Sequence, residues 1–177
     1  MPRFVAFLRA VNVGGRIVKG DALKKAFESA GVTDVESFLA SGNVAFSSKV
    51  SRGLEATLAK TLAASLSFEV PVFVRTLEEV AALAVHRPFP EEDAARFPTY
   101  LVGFLSKNLD AAGVEILSVL STTDDLFHVR GRDFWWLSKH HQARPAITGR
   151  QLEKALGEPT TLRNVNTIRR MAERYSP

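Results

Sequence analysis

An α+β fold made of two ferredoxin-like (βαββαβ-type) halves is the architecture this sequence predicts, and three observations carry it. Over residues 1–75 the apolar runs and helical repeats come in the order strand, helix, strand, strand, helix, strand, which is the split βαβ unit. The first and third strands, central in that topology, are the most continuously apolar. The pattern then restarts at Tyr100, after a proline-rich and acidic crossing. The expected division is a first ferredoxin-like subdomain at 1–75, a linking helix and crossing at 76–98, and a second subdomain with C-terminal helices at 99–177. In this reading the second half lacks its closing strand.

Each element has its local reason. Phe4 to Leu8 is apolar throughout, as in a strand covered on both faces. Ala22, Leu23, Ala26, Phe27 and Ala30 recur at helical spacing, with Gly31 suited to the position after the helix. Val35 to Ala40 and Val44 to Ser47 read as strands joined by a tight turn at Ser41-Gly42-Asn43. A helix opens at Ser51 and carries Leu54, Leu58, Leu62 and Leu66 on one stripe. Pro71 starts Val72-Phe73-Val74 and suits an edge strand.

A linking helix follows over 76–85. His86-Arg87-Pro88-Phe89-Pro90 breaks it, and Glu91-Glu92-Asp93 marks an exposed crossing. Tyr100 to Leu105 is the next strand and Ala111 to Leu120 the next helix. Leu126 to Arg130 and Phe134 to Ser138 form a hairpin across Gly131-Arg132, a pair suited to a type II′ turn. Thr148 with Gln151 is a capping-box signature for a helix ending at Gly157. A last helix is expected from about Asn164 to Tyr175, with Val165, Ile168, Met171, Ala172 and Tyr175 inward. The halves repeat in order of elements, and no residue-level identity between them is read.

Composition narrows the function classes. At 177 residues the chain needs no covalent staples. It has no cysteine, which excludes a disulfide scaffold or a thiolate metal site and makes a cytoplasmic protein the expectation. No apolar run approaches the ~20 residues that span a bilayer, and no signal-peptide pattern precedes the first strand. A net charge of +4 permits phosphate or nucleic-acid partners without demanding them.

Polar motifs then mark candidate sites. Gly14-Gly15 resembles a phosphate loop, but four residues separate it from the helix and no Gly-Lys-Ser/Thr follows, so a flexible connection or tight turn is the favoured reading. Arg9 and Asn12 leave the C-terminal end of a central strand. Ser41 and Asn43 lie in a turn that this topology brings near that end, so the four are expected to share one polar rim. Asn164 and Thr167 are candidate helix caps, and Arg163 and Asn166 accompany them. Trp135 and Trp136 are neighbours on a strand and must face opposite ways. One is expected in the core. The other is expected at the surface, against another element, or as a stacking platform flanked by Arg130 and Arg132. His86, His128, His140 and His141 show no metal-ligand spacing, and no metal or cofactor is expected.

Leu8-Arg9-Ala10-Val11-Asn12-Val13-Gly14-Gly15, Ser41-Gly42-Asn43-Val44-Ala45-Phe46, Pro71-Val72-Phe73-Val74-Arg75-Thr76, Arg87-Pro88-Phe89-Pro90 and Arg163-Asn164-Val165-Asn166-Thr167 together resemble the bacterial family grouped as domain of unknown function 1697 (DUF-1697). Two departures show: Ala10 stands where family members commonly carry glycine, and Val165 where they commonly carry tryptophan. The resemblance implies the two-half α+β fold and brings no assigned activity. Its motifs coincide with the polar clusters above, which are rich in guanidinium and amide groups and poor in acids, imidazoles and thiols. That mixture binds anions better than it moves protons. The leading expectation is a binding module for an anionic small molecule, nucleotide or RNA, held at one cationic, amide-lined spot by Arg9, Asn12, Ser41, Asn43, Arg163 and Asn166, in a monomer or weak homodimer that touches no membrane. Two alternatives stay open: a metal-independent enzyme on a small metabolite, and a structural polar network with no ligand.

Overall fold

The first unit is assembled on β1 (Arg3–Leu8), which pairs antiparallel with β3 (Asn43–Ser47) on one side and β4 (Val72–Thr76) on the other. With β2 (Thr33–Phe38) outside β3, the strand order is β2-β3-β1-β4. This is the ferredoxin-like order, and it puts the two most apolar strands in the centre as expected. The computed structural model describes residues 1–12, 18–39 and 42–175. The chain divides into two compact units, Met1–Val80 with Tyr175–Pro177, and Ala81–Arg174.

Alternation along β1 sends Phe4, Ala6 and Leu8 to one face, where they meet Leu23, Ala26 and Phe27 of α1 (Gly20–Ser29) and Leu54, Leu58 and Leu62 of α2 (Leu54–Leu66). The leucine stripe read from the sequence is therefore the buried stripe. α2 begins at Leu54, with Gly53 in a left-handed conformation at its cap, rather than at Ser51. β2 starts earlier than its apolar residues suggested, because Thr33 pairs with Ser47 before a register shift. α3 (Leu77–Val85) follows β4 directly, and Thr76 Oγ1 accepts the Glu79 amide at 3.1 Å as its cap.

In the second unit β5 (Thr99–Phe104) takes the place of β1. It pairs antiparallel with β7 (Asp133–Ser138), and β6 (Asp125–Arg130) lies outside β7. The acidic crossing is a short helix, α4 (Glu91–Arg96). The β6–β7 turn carries Gly131 at φ 64°, as a type II′ turn requires at its first central position. α5 (Ala111–Leu120) is capped by Asp110, whose carboxylate accepts the Gly113 amide. α6 (Gly149–Leu156) has the full Thr148/Gln151 capping box and ends at Gly157 in a left-handed conformation.

One expectation is corrected here. The second sheet does have a closing strand, β8 (Thr161–Asn164), paired antiparallel with β5, so its order β6-β7-β5-β8 repeats the first sheet. Arg163 therefore lies in a strand, and the last helix, α7 (Val165–Tyr175), begins one residue beyond Asn164. Four residues of which only Leu162 is apolar, next to a strongly helical stretch, give little periodicity to read. A usable signal was present all the same. Pro159 and Arg163 have the same spacing as Pro71 and Arg75, and each arginine, on its closing strand, lies opposite a central valine.

α5 and α6 cover the face of the second sheet that carries Phe134, through Leu117 and Leu152. Gly103 lies opposite Phe134 in the register. A Cβ added at Gly103 would sit 2.0 Å from Phe134 Cζ, so the ring rests on the glycine backbone. Gly103→Ala is expected to lower the unfolding free energy by about 2–3 kcal/mol through overpacking, read as a reduced urea midpoint at unchanged slope.

Candidate functional site

The strand registers decide which of the candidate residues meet. In the second unit Val102 pairs with Arg163 on one side and Trp135 on the other, and Trp135 pairs with His128. Directly opposed residues share a face. His128, Trp135, Val102 and Arg163 thus form one row across the sheet, on the face opposite α5 and α6. Arg130 ends the adjoining row beside Asp133. Two motifs far apart in sequence, the β6–β7 hairpin and the head of α7, are brought onto one surface.

The residues after α3 lie over this row. The His86 ring sits 4.4 Å from the Trp135 ring and 5.6 Å from the His128 ring. Phe89 makes edge contacts with Tyr100 at 5.9 Å and His128 at 6.4 Å. Arg87 donates to Ala84 O and His86 O at the end of α3. Of the three placements open for the second tryptophan, packing against another element is the one found: Trp135 is 1% exposed and Trp136 2%, with His86 over the Trp135 ring. Neither indole is an open stacking platform. Arg130 stays exposed and Arg132 is half-buried.

Charge on this face is positive and partly dehydrated. Arg163 is 8% exposed, donates from Nη1 to Thr161 Oγ1 and Leu162 O at 2.8 Å, and burial pushes its pKa down to about 10. Burial also raises Tyr100, with the guanidinium groups of Arg87 and Arg169 pulling the other way. His86 is lowered by burial first, then by Arg130, His128 and Arg87. Arg130 Nη1 lies 3.4 Å from His86 Nδ1. Three buried nitrogens of this unit, His86 Nε2, Trp135 Nε1 and Arg169 Nε, have no hydrogen-bond partner among the described residues. Satisfied buried groups are the rule, so each such orphan calls for a reason.

The remaining candidates are placed as follows. Asn164 Oδ1 accepts the Asn166 amide at 2.9 Å and caps α7, Asn166 Oδ1 accepts from Arg169 at 3.2 Å, and Thr167 is half-buried in the first turn. In the first unit Leu8 N donates to Gly42 O at 2.8 Å, so the exit of β1 does adjoin the β2–β3 connection. Gly42 at φ 73° has room for little else, since a Cβ there would meet Leu8 Cβ at 3.3 Å. Asn43 is fully buried and donates to Phe38 O at 3.1 Å across that connection. Asn12 Oδ1 accepts the Val18 amide at 2.8 Å, and Arg9 is half-buried. These amides fasten loops. Ser41 and the Gly14-Gly15 pair lie outside the described residues.

His86, Arg87, Phe89, His128 and Arg169 are further candidates that the sequence did not single out as binding residues. His86 and Arg87 looked like helix-breaking punctuation, and only the sheet register shows what they lie over. The Arg75 side chain, opposite Val5 as Arg163 is opposite Val102, is also fully buried and donates to the preceding carbonyl, Val74 O. Glu55 lies 3.6 Å from it and also accepts the Val74 amide.

The opposite face of the second sheet holds a pocket of about 190 Å³ lined by Trp136, Leu101, Leu162, Ile147, Thr99 and His140. Two of its polar groups are engaged within the unit: Trp136 Nε1 donates to Asp125 Oδ1 at 2.8 Å, and Thr99 Oγ1 to His140 O at 2.7 Å. Among the described residues no group of three or more His, Cys, Asp or Glu could hold a metal ion, and no helix is long and apolar enough to cross a membrane.

Two expected outcomes follow. Trp136→Phe strands the buried Asp125 carboxylate, whereas Trp135→Phe removes a donor that has no partner; urea unfolding should show Trp136→Phe the more destabilising by about 2 kcal/mol. Ala10 sits at φ 56°, a left-handed conformation that penalises a Cβ. Ala10→Gly should therefore raise the thermal midpoint, by a gain of up to about 1 kcal/mol after the entropy of glycine is subtracted.

A solved structure titled as that of the conserved bacterial protein SP0830 from Streptococcus pneumoniae is similar with a TM-score of 0.71, at 22% identity, covering 100% of this chain and 99% of that chain. At that identity the likeness shows the fold. No match is found among curated proteins. The family model described as "Protein of unknown function (DUF1697)" matches residues 1–135, which takes in the β1 exit, the β2–β3 connection and the β6–β7 hairpin up to Trp135. The chain belongs to this family, DUF1697.

Proposed function

We propose that this protein is a binding module for a small anionic ligand, a nucleotide or phosphate-containing metabolite, seated on the face of the second sheet opposite α5 and α6. The observation that carries the reading is the row His128, Trp135, Val102, Arg163, with Arg87 and Arg130 exposed beside it. A buried guanidinium two strand spacings away, about 10 Å, adds roughly 1–2 kcal/mol of attraction for a unit negative charge at a protein-like dielectric. Half-buried His86, His128 and Phe89 offer ring faces and edges for the ligand body.

A small ligand is favoured over an RNA strand because sequence-tolerant stacking on RNA needs open aromatic faces, and both indoles are buried. The reading takes the protein as a cytoplasmic monomer or weak homodimer that uses no cofactor.

Calorimetric titration of the full chain with a nucleoside monophosphate tests this. Binding should weaken as salt rises, because Arg87 and Arg130 are exposed and their charges are screened. The double variant Arg87→Ala, Arg130→Ala should lose about tenfold or more in affinity, as expected for two charge-assisted contacts. No binding of any anion by the wild-type chain would remove the proposal.

A further inference from the structure

Resting on that reading, the geometry points to the ligand's contact atoms: we infer that His86 Nε2–H and Trp135 Nε1–H form a paired donor clamp for one phosphate group of a small molecule. The argument begins with the tautomer. A guanidinium can only donate, so the 3.4 Å approach of Arg130 Nη1 to His86 Nδ1 makes Nδ1 the acceptor. A neutral imidazole that accepts at Nδ1 carries its proton on Nε2. Nε2 is the His86 atom that is buried and without a partner.

The second donor is fixed by chemistry, since an indole nitrogen only donates. Trp135 Nε1 is likewise buried and without a partner, and the two rings are 4.4 Å apart. Two dehydrated N–H donors therefore sit on adjacent rings, and neither has an acceptor. Burial and the neighbouring Arg130, His128 and Arg87 all disfavour the imidazolium, which keeps His86 in the form this requires. Asp133 is the carboxylate nearest in register on this face, opposite Arg130 at the hairpin end. It is one row removed from Trp135.

The missing partner must be an acceptor, and the surrounding charge selects an anionic one. Arg87 and Arg130 stand exposed on the His86 side and Arg163 is buried two strands away, so a dianionic phosphate is preferred to a neutral carbonyl. The donors themselves are shielded from solvent, so a group that reaches both must be small. A compact terminal phosphate can enter. A phosphodiester flanked on both sides by nucleotides is excluded by its bulk. The clamp thus narrows the ligand to a phosphate monoester or free phosphate.

Tryptophan indole N–H resonances of the isotope-labelled full chain provide the test, with Trp135→Phe used for assignment. Inorganic phosphate and adenosine monophosphate should move the Trp135 resonance downfield and leave that of Trp136, already bonded to Asp125, in place. Trp135→Phe and His86→Phe should each weaken phosphate binding about tenfold or more. Trp135→Phe should stay folded by circular dichroism, since it gives up no existing hydrogen bond; His86→Phe keeps a ring over Trp135 as the second variant. A matching acetate titration should bind more weakly, and equal affinity would overturn the choice of phosphate. If phosphate binds with the Trp135 resonance unmoved and both variants unchanged, the clamp is wrong and the anion-binding reading survives. If a uridine oligonucleotide without terminal phosphate binds and the small phosphates do not, the clamp is again wrong. If nothing binds to the wild-type chain, both fall together.

Discussion

Antiparallel pairing of a late strand with the first strand of each unit is the constraint on which the rest depends. β4 on β1 and β8 on β5 convert a βαββ sequence into a closed four-stranded order. The same pairing sets which side chains become neighbours. A one-residue slip of β8 would turn Arg163 toward α5 and α6, into a core of leucine and phenylalanine, and bring Leu162 out to the row beside Val102. The desolvation of a guanidinium among those residues is a strong penalty against that slip. Register and cationic surface are therefore one property of the sheet.

The two units apply this constraint to different side chains. Opposite the central valine each has a buried arginine on the closing strand, and each arginine donates to the carbonyl of the residue before it. Across the valine, however, the first unit has Ala45 where the second has Trp135, and beyond them Glu36 where the second has His128. One row is small and partly acidic; the other is aromatic and basic. The shared backbone plan is common to both, and the chemistry suited to an anion is found in the second.

Much of the scaffold was legible because its signals are local. The leucine stripe of α2, the Thr148/Gln151 box and the Gly131 turn each determine structure within a few residues, and all three stand as read. β8 escaped because four residues with a single apolar side chain beside an amphipathic helix carry little periodicity, and its identity rests on pairing with a strand some sixty residues earlier. The candidate site was legible in part. Arginine and amide clusters were visible as composition, but the sequence places no residue over another. The burial of Trp135 comes with His86 folding back over its ring, and Trp136 is buried on the other face with Phe127 stacked on it; no local pattern encodes the first. Asn43 and Asn12, attractive as ligand groups, each bond a backbone group: Asn43 at the end of the β2–β3 pairing and Asn12 in the loop after β1.

The position of the closing strands along the chain has a consequence for synthesis. Everything needed to complete the first sheet has emerged once Thr76 leaves the ribosome, so that half can gain its cooperative structure while the remainder is still being made. The second sheet must wait for Thr161 to Asn164, holding β5 with an unpaired edge through the translation of two helices and a hairpin. Tyr175 comes later still, and its ring contacts Phe38 and Arg3, among the earliest-made residues of the first unit. The interval between Phe104 and Thr161 is thus the period in which the nascent polypeptide is most open to strand-mediated association, and chaperone protection would matter most there.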